Sequence, residues 1–108
     1  MNQEQVIAAL SALAHPVRLQ VFRALVVSGP GGLTPGVMQE GLGIPATTLS
    51  FHLKELANAG LVTTERASRN LVYRAVYAQM NNVIGFLTEN CCQGADCAVS
   101  SSVAACGC

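Results

Sequence analysis

The segment from Leu33 to Leu61, LTPGVMQEGLGIPATTLSFHLKELANAGL, constrains the fold more than any other part of the chain. Thr34 is placed to cap a first helix that opens on Pro35, a residue with no amide hydrogen to leave unsatisfied. Val37, Met38 and Leu42 give that helix a buried side, and Gly43 ends it. Ile44 and Pro45 restart the chain. Leu49, Leu53 and Leu56 then recur at helical spacing until Asn58, Ala59 and Gly60 close a second helix. Two short helices joined by a tight glycine turn are the footprint of a helix-turn-helix, a DNA-reading unit. On a helical projection the face opposite the leucines carries Thr47, Ser50, Phe51, Lys54 and Asn58. An outward phenyl ring is the odd member of that set, and contact with a thymine methyl group in the major groove accounts for it.

The flanking sequence supplies the rest of one domain. Residues 3 to 13 place Val6, Ile7, Leu10 and Leu13 on one side of a helix, with Ala8, Ala9 and Ala12 favouring helix formation. Pro16 opens a helix in which Val17, Leu19, Val21, Phe22, Leu25 and Val26 are apolar over much of the circumference, as expected of a core element. Ser28 to Gly32 reads as a loop. Leu61 to Arg66 and Leu71 to Val76 are rich in Val, Thr and Tyr and predict a hairpin, in which Asn70 is the residue suited to a left-handed turn conformation. From Met80 the spacing Met80, Val83, Ile84, Leu87 is helical again and continues to about Asn90. The expected fold is therefore mainly α with a small β-hairpin: five helices plus a wing in residues 1–90. Residues 91–108 form a cysteine-rich tail whose last stretch, AVSSSVAACGC, has too little bulk to pack a core and is expected to be partly flexible.

Composition narrows the function. Of 108 residues, 51% are hydrophobic and 11% charged, so disorder over most of the length is excluded and spare apolar surface is expected. A homodimer would cover it. Six basic residues balance six acidic ones, which argues against a nonspecific basic coat for nucleic acid. Local charge at Lys54, Arg66 and Arg69 must serve instead. Arg66 and Arg69 read as phosphate contacts or as a solvated hairpin tip. No apolar run approaches the roughly 20 residues needed to span a bilayer and no basic leader precedes the first helix, so no membrane partner and a cytoplasmic location are expected. No paired carboxylates and no Cys–His couple suggest an enzyme.

All five cysteines fall between 91 and 108. In a reducing compartment such a cluster reads as soft-metal ligands or redox groups rather than a disulfide frame. Cys91 and Cys92 would point about 100° apart on an intact helix, so using both on one atom requires the helix to end near Asn90. Gly94 lets the chain turn and return Cys97, a shorter closure than recruiting Cys106 or Cys108. Cys106-Gly107-Cys108 is either an additional chelating pair or a dispensable tail. Zinc, which wants four ligands, could be satisfied by adding a distal thiol, and thiol oxidation is a further alternative. His15 reads as a helix-start residue. His52 lies near the edge of the Leu49–Leu53 stripe, as a partly buried imidazole.

Particular strings go beyond a generic reader: Ala14-His15-Pro16-Val17-Arg18-Leu19 opening the second helix, Leu42-Gly43-Ile44-Pro45 at the turn, Thr48-Leu49-Ser50-Phe51-His52-Leu53 in the reader, and Leu56 to Val62 leading into the wing. In order and spacing they resemble the ArsR/SmtB family of winged helix-turn-helix metalloregulators, over most of residues 5 to 90. The resemblance implies a transcriptional repressor that binds double-stranded operator DNA and dimerises through its first and last helices. It implies DNA contacts from Thr47, Thr48, Ser50, Phe51, His52, Lys54, Arg66 and Arg69, and places Arg18 as a structural ion-pair member or phosphate neighbour. The chain departs from members that carry Cys-x-Cys in the first reader helix, where it has Thr34-Pro35-Gly36. It also lacks the histidines of members that sense zinc on the last helix. It resembles instead arsenic-responsive repressors with inducer cysteines after the closing helix, matched by Cys91, Cys92 and Cys97. The inducer implied is As(III) or Sb(III), with no cofactor required for folding. A repressor answering cadmium, zinc or oxidants and a soft-metal carrier are the competing readings. A carrier has no use for the outward Thr47, Ser50 and Phe51.

Overall fold

The computed structural model describes residues 2–90. Five α-helices and one hairpin follow in the order α1 (Gln3–Leu13), α2 (Pro16–Ser28), α3 (Pro35–Leu42), α4 (Ala46–Asn58), β1 (Val62–Ala67), β2 (Asn70–Ala75) and α5 (Tyr77–Leu87). Local chemistry sets most of the boundaries. Asn2 and Gln5 form a reciprocal capping box, the Asn2 side chain accepting from the Gln5 amide at 2.8 Å and Gln5 Oε1 accepting from the Asn2 amide at 3.0 Å. Thr34 Oγ1 accepts from the Val37 amide at 3.4 Å, and Gly43 ends α3 in the left-handed conformation at φ 67°. Ser28 belongs to α2, and a single 3-10 turn over Gly29–Gly31 replaces most of the expected loop.

α2 is the central element. It packs against α1, α3, α4 and β2 and buries Val21, Phe22 and Leu25. On the inner side of α4, Leu49, Leu53 and Leu56 are at most 2% exposed, and Met38, Ile44 and Leu61 extend the same core. Burying each such leucine contributes about 1.5–3 kcal/mol.

Several expectations based on apolar spacing are corrected. Val37 is 54% exposed: α3 has only eight residues and turns Met38 inward, leaving its neighbour outside. In α1 the inner face is Val6, Ala9 and Ala12, while Ile7 and Leu10 stay exposed. Small alanines let α1 lie close to its neighbours, and the larger residues face outward. Leu19 is likewise exposed on α2. α5 begins at Tyr77, ahead of the expected Met80, and buries Val83.

The strands pair antiparallel from Val62–Ala75 to Ala67–Asn70, so the turn is the two-residue Ser68-Arg69. Ser68, not Asn70, takes the left-handed conformation at φ 59°, because Asn70 is committed to the strand ladder. A further bridge ties the hairpin down: the Leu33 amide donates to the Tyr73 carbonyl at 2.9 Å and the Tyr73 amide to the Leu33 carbonyl at 2.8 Å. Gly32 makes this approach possible. A Cβ there would lie 2.6 Å from the Tyr73 carbonyl oxygen, and its φ of 71° suits glycine. On the far side of the wing, Tyr77 Oη donates to the Val26 carbonyl at 3.3 Å and fixes the start of α5 on α2.

Candidate nucleic-acid interface

α4 separates its two faces as its sequence dictates. Thr47, Thr48, Ser50, Lys54 and Asn58 are exposed, and Phe51 is 54% exposed, over an underside of buried leucines. The packing of α2 and α3 on α4 holds this helix with its polar side outward. Such a helix fits a major groove, which admits an α-helix and is read from base edges. Gly60, at φ 77°, ends the helix and leads into β1.

The wing carries the charge. Arg66 is exposed on β1 and Arg69 is exposed in the hairpin turn. Arg74 is occupied in anchoring the wing, donating through Nε to the Pro30 carbonyl at 2.8 Å and pairing with Glu65 on β1 at 3.4 Å. That exposed pair adds little stability. Among the described residues neither Arg66 nor Arg69 has a carboxylate within 4.0 Å.

His52 is the exception among the expected DNA-contact residues. It is only 5% exposed, which leaves little surface for a base or a phosphate, and it sits as a largely buried imidazole on the inner side of α4. Its Nδ1 accepts from Arg18 Nε at 3.1 Å, and its ring lies 4.7 Å from that of His15. Burial, then the neighbouring His15 and Arg18 charges, hold His52 below its ordinary pKa of 6.5 and favour the neutral ring. His15 caps α2 as expected, its Nδ1 accepting from the Val17 amide at 3.1 Å. Arg18 is not an ion-pair member: among the described residues it has no carboxylate within 4.0 Å. Its guanidinium carbon instead lies 5.5 Å from the centroid of Phe51. This link between α2 and the reader spans 34 positions and leaves no periodic trace in the sequence.

The expected inducer ligands Cys91, Cys92 and Cys97, and the further pair Cys106 and Cys108, lie outside the described residues. Among the described residues no group of three His, Cys, Asp or Glu side chains could hold a metal ion. A broad groove of about 830 Å³ between α2 and α3 is lined largely by Leu19, Ala24, Val27, Leu33 and Leu42. No acid–base pair lines it. Among the described residues no single helix is long and apolar enough to cross a membrane.

Known proteins share this arrangement. Residues 13–65 match a helix-turn-helix domain family. The HTH-type transcriptional regulator YgaV of Escherichia coli (strain K12) is 29% identical over 91 residues, covering 84% of this chain and 90% of that protein. The crystal structure of the transcriptional repressor BigR from Xylella fastidiosa is 31% identical with a TM-score of 0.63, over 82% of this chain and 88% of that one. The chain belongs to the ArsR/SmtB family. An ArsR-like transcriptional regulator from Rhodococcus sp. RHA1, at 20% identity, shares the fold with a TM-score of 0.74 over 94% of this chain and 89% of that one. This ArsR/SmtB protein is thus a DNA-binding transcriptional regulator rather than an enzyme.

Proposed function

We propose that this ArsR/SmtB protein is a homodimeric repressor that leaves its operator when As(III), or the similar Sb(III), is captured by Cys91, Cys92 and Cys97. The observation that carries the DNA half of this reading is the exposed face of α4, where Thr47, Thr48, Ser50, Lys54 and Asn58 surround Phe51. A dimer is supported by Ile7, Leu10 and Leu87, which stay exposed on the first and last helices. Two copies would present two α4 helices to successive major grooves about 34 Å apart, so a small shift between protomers changes the fit.

Donor chemistry supports the inducer. Trivalent arsenic is thiophilic and takes three sulfurs in a pyramid, and the three thiols follow α5 within a few residues of Asn90. Capture there would act on the protomer arrangement through α5. A coupling of about 1–3 kcal/mol is typical and changes operator affinity from several-fold to about a hundredfold.

Titrating arsenite into the full-length protein bound to its own upstream DNA tests this. Release is expected for the parent. Cys91→Ser, Cys92→Ser and Cys97→Ser should each bind DNA and resist release, and Cys106→Ser/Cys108→Ser should have a smaller effect. Release of Cys91→Ser/Cys92→Ser as readily as the parent would overturn the assignment and move it to the distal pair.

A further inference from the structure

Arg18 lies outside the reader, yet it touches both residues that decide how the reader presents its one aromatic side chain. Its Nε donates to His52 Nδ1 at 3.1 Å, and its guanidinium carbon lies 5.5 Å from the Phe51 centroid, within the range of a cation–π contact. Phe51 and His52 meet edge to face with centroids 5.5 Å apart, and the His15 ring lies tilted against His52 at 4.7 Å. A phenyl ring that is 54% exposed would ordinarily sample several rotamers. Here it is backed by one planar cation whose own direction is fixed by a buried acceptor. Among the described residues no carboxylate competes for that cation. The geometry is that of a bracket, built from α2 and aimed at the reading face.

We propose that Arg18 is a specificity-determining positioning residue, holding Phe51 in the single pose in which its ring meets a thymine methyl group in the major groove. The proposal rests on the reading of α4 as the base-contacting helix. It assigns to Arg18 a role that charge alone does not fill. A lysine would keep the positive charge but has neither the planar face to lie against the ring nor a second fixed donor direction for His52.

The test compares the full-length protein on its own upstream DNA with the same fragment carrying uracil for thymine, which removes only the methyl group. Loss of one buried methyl predicts about a fourfold weaker affinity per contacted thymine for the parent. Phe51→Ala should bring that ratio to about one. Arg18→Lys should also bring it to about one, whereas an Arg18 that only contacts phosphate would leave it near fourfold. Should Arg18→Lys fold poorly, His52 gives an independent pair. His52→Asn retains an acceptor at the Nδ1 position and should keep the methyl dependence; His52→Leu packs but accepts nothing and should lose it. A fourfold ratio that persists in Arg18→Lys or His52→Leu overturns the bracket while leaving Phe51 as the reader. A parent indifferent to the methyl group, or Phe51→Ala as sensitive as the parent, overturns the reading of Phe51 and the bracket with it.

Discussion

The reader and the terminal helices are both amphipathic, yet they use apolar surface in opposite ways. In α4 every large aliphatic residue is turned inward, with Leu49, Leu53 and Leu56 at most 2% exposed, and what remains outside is polar apart from Phe51 and the small Ala46 and Ala57. In α1 and α5 the fully buried residues are Val6, Ala9, Ala12 and Val83, the larger Leu13, Tyr77, Met80 and Phe86 are only partly buried against the core, and Ile7 and Leu87 are more than half exposed. One region is complete within a single chain. The other leaves large apolar side chains exposed, the surface that the proposed dimer would cover.

The sharpest way to break this contrast is to remove one leucine from each region. Leu53→Ala should destabilise the fold by about 2–5 kcal/mol in chemical denaturation, because the site is closed on all sides and leaves a cavity. Leu87→Ala, at 61% exposure, should cost the chain less than about 1 kcal/mol under conditions where it is monomeric. Equal losses would mean that the two regions are not different in kind. A smaller effect, on association, is expected from Ile7→Ser/Leu10→Ser. Sedimentation should show the dimer dissociation constant raised by about ten- to a hundredfold, on the order of 1–3 kcal/mol for the apolar area lost. An unchanged association constant would place the dimer surface elsewhere.

The smallest expected effect concerns proton linkage at His52. Its folded pKa is depressed, so the unfolded chain takes up the proton first as pH falls. The stability this group contributes is fully present above pH 6.5 and is lost as pH falls through the lower folded value. Protonation would also set a cationic ring against the Arg18 guanidinium. Stability measured from pH 8 to pH 5 should be level above about 6.5 and decline below it, and His52→Asn should flatten that decline. An identical decline in His52→Asn would assign it to other groups.

What was legible in the sequence was local. Pro16, Thr34, Pro35 and Gly43 mark helix ends through interactions within four residues, and the Leu49, Leu53, Leu56 spacing fixes the inner face of α4 whatever lies beneath it. Burial in α1 was not legible in that way. Val6, Ile7, Leu10 and Leu13 make an acceptable stripe, but its alanines determine how near α1 can approach its neighbours, and that is a property of the neighbours. The hairpin turn moved from Asn70 to Ser68 because the ladder register, a two-strand property, outranks the preference of one residue. Arg18 was visible as part of a family string, but its partners on α4 follow only from the packing of α2 across the reader.

The bridge from Leu33 to Tyr73 has a consequence for how the sequence can be altered. Ser28 to Gly32 looks like ordinary linker, the kind of place where a tag or a spacer is inserted without harm. Because Gly32 sits against the β2 backbone, Leu33 is bridged to Tyr73 and the Pro30 carbonyl accepts from Arg74, this 3-10 turn is pinned to β2 rather than free. Lengthening it by even one residue would shift that pairing and free the root of the wing from α2. The tolerant position is the exposed hairpin tip at Ser68 and Arg69, where an extra residue changes the reach of the wing and leaves its anchorage intact.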